Sequence, residues 1–149
     1  MGKEANKTGQ KLEDLVEGVI KEKDFAFVEK NKYKDSKSSS QKIYTKQLVV
    51  GETIYGTKRK CDFITYNPHT KREIVIECKW QDTPGSVDEK YPFLVLNIKK
   101  IGIDTIIILD GDGYKKKAME WLKDQMGDCL IGVMGFSEFM VETRKKDLI

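Results

Sequence analysis

The sequence predicts an α/β fold in which helices cover both faces of a mixed central β-sheet. Segments with helical periodicity alternate with short runs rich in β-branched residues, in the order α-β-β-β-α-β-α-β-α. One run, from Asp104 to Leu109, is almost wholly apolar, which is typical of a strand buried on both faces. Since such a strand needs cover on each side, we expect a sheet layered between helices.

The composition is that of a globular chain, with 149 residues of which 39% are hydrophobic and 34% charged. This length predicts one domain, residues 1–149, that buries roughly 70% of its unfolded surface. Nothing approaches the roughly 18 apolar residues of a membrane span, and the polar N-terminus is not typical of a signal peptide. Three cysteines without paired spacing (Cys61, Cys78 and Cys129) predict neither disulfides nor structural zinc. We therefore expect a cytoplasmic (intracellular) protein with no membrane partner.

The first predicted helix runs from Thr8 to Lys23, where apolar residues recur at helical spacing on one face. Three further predictions follow along the chain. They are a short strand over Phe25 to Val28, a flexible loop rich in lysine and serine over Asn31 to Gln41, and a strand over Ile43 to Val50 before turns at Gly51 and Gly56.

A β-hairpin is predicted at the centre of the chain. Its arms are Arg59 to Tyr66 and Arg72 to Trp80, both rich in β-branched and aromatic residues. The turn between them, Asn67 to Thr70, contains an Asn-Pro pair that favours chain reversal.

The last third alternates helices and strands. Ser86 is a candidate N-cap, with Glu89 completing a capping box, for a helix to about Lys100. Phe93 to Ile98 alone is also compatible with a strand. The other predicted elements are the strand over Asp104 to Leu109, a helix over Tyr114 to Met126, a strand over Cys129 to Met134 and a terminal helix capped by Ser137.

Positive charge is concentrated in one segment, although the net charge is only +3. Six lysines oppose a single aspartate, Asp35, which gives this segment a charge of about +5. Such a patch favours a polyanionic partner, and the alternative is a solvated loop. The six are Lys30, Lys32, Lys34, Lys37, Lys42 and Lys46.

Glu77 and Lys79 lie two residues apart on a predicted strand and so share one face of it. Charges on an otherwise apolar strand are costly unless they are paired or bound to metal. Pairing across the hairpin brings Asp62 close to Glu77, and a divalent cation would relieve the repulsion between them. The alternatives are a surface ion pair for Glu77 and Lys79 and a capping role for Asp62.

Mg²⁺ suits such a site because it takes hard oxygen ligands and commonly uses one or two carboxylates with water and phosphate. The predicted ligands are Asp62, Glu77 and the backbone carbonyl of Cys78, and Mn²⁺ is expected to substitute. Lys79 would orient the attacking water or stabilise charge on the phosphate in the transition state.

These residues resemble the signature of the PD-(D/E)XK nuclease superfamily. In the segments Arg59-Lys-Cys-Asp62 and Glu73-Ile-Val-Ile-Glu77-Cys-Lys79, the first aspartate matches Asp62, the second acidic position matches Glu77 and the lysine matches Lys79. The chain departs from the signature at Cys61, which stands where the motif has proline.

Further matches lie on either side of the motif. Gly9-Gln-Lys-Leu-Glu13 is similar to a Gly-x-x-x-Glu on the first helix, which implies that Glu13 joins the site; Glu17 is the rival. Gln81 resembles a glutamine that often follows the motif, which implies that it belongs to the catalytic residues. The block from Gly85 to Pro92 resembles one in restriction-type and phage nucleases whose lysine, here Lys90, opens a helix beside the site. The alternative for Gln81 and Lys90 is an ordinary surface polar group.

The resemblance implies a restriction-endonuclease-like fold. It also implies a Mg²⁺-dependent endonuclease that cuts double-stranded DNA, acting as a homodimer, as a higher oligomer or together with a specificity subunit. The alternatives are a structure-specific nuclease such as a Holliday-junction resolvase, a homing-type enzyme and a non-catalytic DNA-binding subunit. Besides the six lysines, the residues expected to contact DNA are Lys58, Arg59 and Lys90.

Overall fold

The computed structural model describes residues 2–81, 89–111, 116–146 and 148–149. These residues form five α-helices, one 3₁₀ turn over Lys30–Lys32 and eight strands. The helices are α1 (Gly2–Glu22), α2 (Tyr33–Ser36), α3 (Lys90–Ile101), α4 (Lys116–Asp124) and α5 (Phe136–Lys145). The strands are β1 (Ala26–Phe27), β2 (Ile43–Lys46), β3 (Val49–Glu52), β4 (Lys58–Lys60), β5 (Phe63–Asn67), β6 (Arg72–Trp80), β7 (Thr105–Asp110) and β8 (Leu130–Met134).

The central sheet has six strands in the order β1-β2-β5-β6-β7-β8, and it is mixed, as predicted. Strands β2, β5 and β6 are antiparallel neighbours, whereas β6, β7 and β8 run parallel. The remaining strands, β3 and β4, pair only with each other in a small second sheet.

Helices cover both faces of the central sheet, which confirms the predicted layers. On one face α1 and α5 pack their apolar residues against Ile74, Ile76 and Ile106. On the other face α3 and α4 pack against Ile107 and Leu109. Strand β7 is buried along most of its length because it contributes to both cores.

The predicted hairpin forms around the Asn67 turn, where the side-chain oxygen of Asn67 accepts a hydrogen bond from the backbone N–H of His69 at 3.0 Å. Its first arm differs from the prediction, because Arg59 to Tyr66 is two strands in different sheets. The break falls at Cys61, which is fully buried and donates its backbone N–H to the carbonyl of Leu48. The preceding strand also divides, at Gln47, whose φ is 56°.

Two other predictions were wrong. The segment Asn31 to Gln41 begins with helical turns rather than a flexible loop, because Tyr33 is buried and donates its hydroxyl to Glu73 at 2.8 Å. Helix α5 begins after Gly135 rather than at a Ser137 cap. A carboxylate oxygen of Asp110 accepts the backbone N–H of Phe136 at 3.0 Å, so Asp110 stabilises this helix end.

The segment Phe93 to Ile98 is helical within α3, which resolves the ambiguity between helix and strand. The proposed Ser86 cap and the start of the block from Gly85 to Pro92 lie outside the described residues, as does the beginning of the helix predicted from Tyr114. Free cysteines at positions 61, 78 and 129 agree with the predicted lack of disulfides.

Candidate active site

Glu77 is a buried carboxylate at the centre of the sheet, with a side chain only 3% exposed. It lies on β6, where Ile74 and Ile76 pack towards α1 and α5. Glu77 and Lys79 alternate with these residues and therefore share the opposite face. The sequence-predicted pair thus stands on one face, and Lys79 is close enough for its charge to oppose the rise in the pKa of Glu77.

Asp62 immediately precedes β5, at the point where the pairing between β5 and β6 ends. Phe63 pairs with Ile76, so Asp62 faces the next residue of β6, Glu77. One carboxylate oxygen of Asp62 accepts the backbone N–H of Cys78 at 2.8 Å. Because the N–H and C=O of a strand residue point to the same edge, the carbonyl of Cys78 faces this end of β5 as well.

The surroundings of Glu77 combine desolvation with mixed charges. Burial and the neighbouring Asp62 carboxylate raise the pKa of Glu77 to about 7. The positive charge of Arg59 opposes this rise in the pKa, because its guanidinium lies 3.2 Å from a carboxylate oxygen of Glu77. Arg59 belongs to β4, so the small second sheet supplies a cation to the buried acid.

Glu13 approaches Asp62 from α1. Burial and the charge of Asp62, with which it is in hydrogen-bonding contact, raise the pKa of Glu13 to about 7. Both carboxylates line a cleft of about 250 Å³ between α1 and the start of β5. Glu13 and Glu77 therefore each lie beside Asp62 at one end of the hairpin.

Glu17, the rival of Glu13, lines the same cleft but has other partners. It accepts hydrogen bonds from the Tyr44 hydroxyl at 2.5 Å and from the Lys46 ammonium at 3.0 Å. Although burial raises the pKa of Glu17, these two hydrogen bonds and the charges of Lys46 and Lys21 together lower that pKa below its ordinary value. The geometry thus brings Glu13 rather than Glu17 to Asp62.

The chemistry of the donors fits a hard divalent cation. The raised pKa values of Glu13 and Glu77, each beside the Asp62 carboxylate, indicate negative charge that the protein neutralises only in part. Among the described residues, no group of three or more acidic, histidine or cysteine side chains is arranged to hold a metal ion, so an ion here would need backbone oxygens and water besides Asp62 and Glu77. Mg²⁺ is compatible with this arrangement because it keeps several waters beside one or two carboxylates.

A second cavity, of about 360 Å³, opens beside Lys79 on the α3 face of the sheet. Arg59 and Lys90 also line it, together with Tyr91, Phe93 and Leu94. Lys90 is the first residue of α3 and is exposed, as expected for a lysine that opens a helix beside the site.

Gln81 is 2% exposed and follows β6 directly. Its side-chain oxygen accepts a hydrogen bond from the Tyr91 hydroxyl at 2.5 Å, and its backbone N–H donates to Asp110. Gln81 therefore links the end of β6 to α3 and to the wall of the second cavity. It is not the surface polar group of the alternative interpretation.

The six lysines of the basic segment divide into two groups. Lys37 pairs with Glu73, Lys42 donates to the carbonyl of Lys23, and Lys46 pairs with Glu17. In contrast, Lys30, Lys32 and Lys34 are exposed around the start of α2, and Lys58 is exposed on β4. Three of the six lysines of the predicted basic patch thus have partners within the protein.

The contact between Arg59 and Glu77 was not predicted from the sequence, which had assigned Arg59 to DNA alone. The two residues lie 18 positions apart, on strands of different sheets. The sequence indicated such a partner only indirectly, through an acidic residue on an otherwise apolar strand, which needs a cation when it is buried.

No helix among the described residues is long and apolar enough to cross a membrane. A search of curated proteins finds no match to the chain. A family model described as a PD-(D/E)XK nuclease superfamily domain matches residues 4–146, which is nearly the whole chain. This match and the mixed sheet flanked by helices confirm the resemblance found in the motif and the restriction-endonuclease-like α/β fold that it implied. The chain belongs to the PD-(D/E)XK nuclease superfamily.

Proposed function

We propose that this chain is a divalent-metal-dependent DNA endonuclease, with site-specific double-strand cleavage of restriction type as its activity. The observation that carries the proposal is that Asp62 lies beside both Glu77 and Glu13 at one end of the hairpin, with Lys79 on the same face as Glu77. Membership of a nuclease superfamily supports phosphodiester hydrolysis as the reaction.

Asp62, Glu77 and the backbone carbonyl of Cys78 would hold Mg²⁺, and Mn²⁺ would substitute for it. A bound divalent cation supplies Lewis acidity, which polarises the scissile phosphate and makes water a better nucleophile. The Cys78 N–H fixes one oxygen of Asp62 beside the carboxylates of Glu13 and Glu77. Glu13 adds negative charge from the α1 side of the cleft.

Lys79 is the proposed catalytic cation. Its ammonium group would orient the attacking water or stabilise the charge that builds on the phosphate oxygens in the transition state. Gln81 acts as a positioning residue, because its bonds to Tyr91 and Asp110 hold the end of β6 against α3 and β7.

The exposed cations would contact the DNA backbone. They are Lys30, Lys32 and Lys34 around α2, Lys58 on β4, and Lys90 at the start of α3. Arg59, which is 16% exposed and paired with Glu77, would meet the DNA only at the wall of the second cavity. The positive electrostatic potential of this surface would also include the three lysines that have partners within the protein, Lys37, Lys42 and Lys46. A homodimer would bring two sites to the two strands of a palindromic duplex.

The decisive experiment incubates the protein with Mg²⁺ on supercoiled plasmid, on a linear duplex of random sequence and on a four-way junction, with EDTA as the metal-free control. Lys79→Ala should abolish cleavage, whereas Lys117→Ala, which removes an exposed lysine on α4, should leave it intact. Discrete plasmid bands are the expected result. Paired symmetric cuts in the junction alone would replace restriction-type cleavage by a resolvase activity.

Binding must be measured separately from cleavage. Glu77→Gln should abolish cleavage while the affinity for duplex DNA stays within about threefold, because the exposed lysines supply most of that affinity. Equal loss of both would indicate a structural role for Glu77. Binding by the wild-type protein without cleavage in Mg²⁺ or Mn²⁺ would overturn the catalytic proposal and leave a DNA-binding subunit.

A further inference from the structure

Helix α3, which forms part of the wall of the cavity beside Lys79, is bound to the hairpin of β3 and β4. The tip of the β3–β4 hairpin is fixed to α3 by Asn97, whose side-chain oxygen accepts the backbone N–H of Ile54 at 2.9 Å. Lys100 also donates to the carbonyl of Thr53 at 2.7 Å. Asn97 is fully buried, so its end of this connection is shielded from solvent.

The same hairpin places an aromatic ring against Phe93, a residue of the cavity wall. Tyr55, at the tip, is 77% exposed and stacks on Phe93 of α3, with ring centroids 5.4 Å apart and planes inclined by 26°. Phe93 in turn lines the cavity with Tyr91 and Leu94. The stacking on Tyr55 restricts the orientation of the Phe93 ring before any ligand arrives.

The other described side chains that line the cavity are positively charged. Arg59, Lys79 and Lys90 lie around the cavity, and no acidic side chain is among its described lining residues. Its volume of about 360 Å³ falls within the roughly 300–1,000 Å³ typical of sites for small molecules. Flat aromatic surface beside several cations is the combination by which proteins hold single-stranded nucleic acid, through stacking of bases and attraction of phosphates.

We infer that this cavity takes one unpaired nucleobase of the DNA strand, stacked on Phe93, while its neighbouring phosphate lies at Lys79. The inference rests on the proposed function, since it names a feature of the substrate at the same site. It requires that the base be unpaired where it enters, whether at a junction, at a flap or by rotation out of a duplex.

The test measures binding without metal, in EDTA, so that catalysis plays no part. The probes are a fluorescent octathymidylate and a strand of the same length and charge in which every base is replaced by an abasic residue. Wild-type protein should bind the octathymidylate more tightly. Phe93→Leu, which keeps apolar volume but removes the ring, should weaken octathymidylate binding by about tenfold and abasic binding by about twofold at most.

Two further variants control for folding and for surface effects. Phe93→Tyr should restore binding of the octathymidylate, because the ring is retained. Leu96→Ala, on the same helix but not lining the cavity, removes a half-exposed side chain and should change neither affinity. Equal loss on both strands in Phe93→Leu, or no loss on either, overturns the inference.

The outcome for the cavity is separable from the outcome for the endonuclease. If plasmid is cut in Mg²⁺ but the wild-type protein shows no preference for bases, the cavity inference is wrong and the proposed function stands. If base-dependent binding requires Phe93 but no DNA is cut, the inference about the cavity stands and the endonuclease proposal is wrong.

Discussion

Arg59 on β4 and Glu77 on β6 form an ion pair across two sheets, with a guanidinium nitrogen 3.2 Å from a carboxylate oxygen. Both side chains are shielded from water, at 16% and 3% exposure. The acid proposed to bind metal therefore has a cation within the protein as its partner. Any metal ion at this site must share Glu77 with Arg59 or displace it.

The first prediction concerns removal of that cation. Arg59→Met should lower the free energy of unfolding of the metal-free protein by about 3 kcal/mol near pH 8, because a buried charge loses its partner. For a chain of this length, that corresponds to a fall in Tm on the order of 10 °C. Mg²⁺ should raise the Tm of the variant more than that of the wild type, since the ion replaces the missing positive charge.

The matched control for this prediction is the pair of Arg144 and Glu22, which has the same 3.2 Å separation but side chains 55% and 53% exposed. Arg144→Met should change the unfolding free energy by about 1 kcal/mol or less, because exposed pairs contribute little. Equal effects of the two substitutions, measured by thermal unfolding with and without EDTA, would show that burial of the Arg59 pair has no special importance.

The second prediction is a pH dependence of stability without metal. The folded pKa values of Glu13 and Glu77 are about 7, against an ordinary value of 4.5. Their protonation therefore stabilises the fold fully below pH 4.5, and this contribution is lost as the pH rises through 7. In EDTA, the Tm should fall between about pH 5 and about pH 8.

Metal should reverse that trend, because its binding requires deprotonated carboxylates. We expect Mg²⁺ to raise the Tm strongly near pH 8 and weakly near pH 5. Glu77→Gln cannot titrate at this position, so its Tm in EDTA should change less with pH than that of the wild type. An unchanged slope in this variant would exclude Glu77 as the source of the pH dependence.

Local patterns in the sequence predicted the layers of the fold and the placement of Asp62 opposite Glu77. The Asn67 turn and the two-residue alternation along β6 were enough to bring Asp62 opposite Glu77, since both are rules of local geometry. Helix α1 likewise followed from apolar spacing, although it begins at Gly2, earlier than expected.

Contacts between distant segments were the part that the sequence did not reveal. The break in the hairpin at Cys61 depends on a hydrogen bond to Leu48, and the role of Arg59 depends on a second sheet. Tyr33 orders the basic segment through Glu73, 40 residues away. Such interactions override local propensity, and no periodicity in one segment encodes its partner in another.

The third prediction separates the two roles of Asp62. Asp62→Asn keeps an oxygen that can accept the Cys78 N–H, so its stability should stay within about 1 kcal/mol of the wild type. Cleavage should nevertheless be lost, because the amide is a poor ligand for Mg²⁺ compared with a carboxylate. Asp62→Ala should lose cleavage and, in addition, about 1–3 kcal/mol through the unpaired N–H. Denaturant unfolding of both variants, beside a plasmid assay, checks this difference.

The last prediction compares two glutamates one turn apart on α1. Glu13 contacts Asp62, whereas Glu17 is bound by Tyr44 and Lys46. Glu13→Gln should weaken Mg²⁺ binding, measured by calorimetry, by roughly tenfold, which lies at the lower end for residues that support metal ligands. Glu17→Gln should leave the Mg²⁺ affinity within about twofold but lower the unfolding free energy by about 1–2 kcal/mol, because it weakens a charge-assisted hydrogen bond and an ion pair. The reverse pattern would make Glu17 the acidic residue of the site and assign Glu13 to the structure of the cleft.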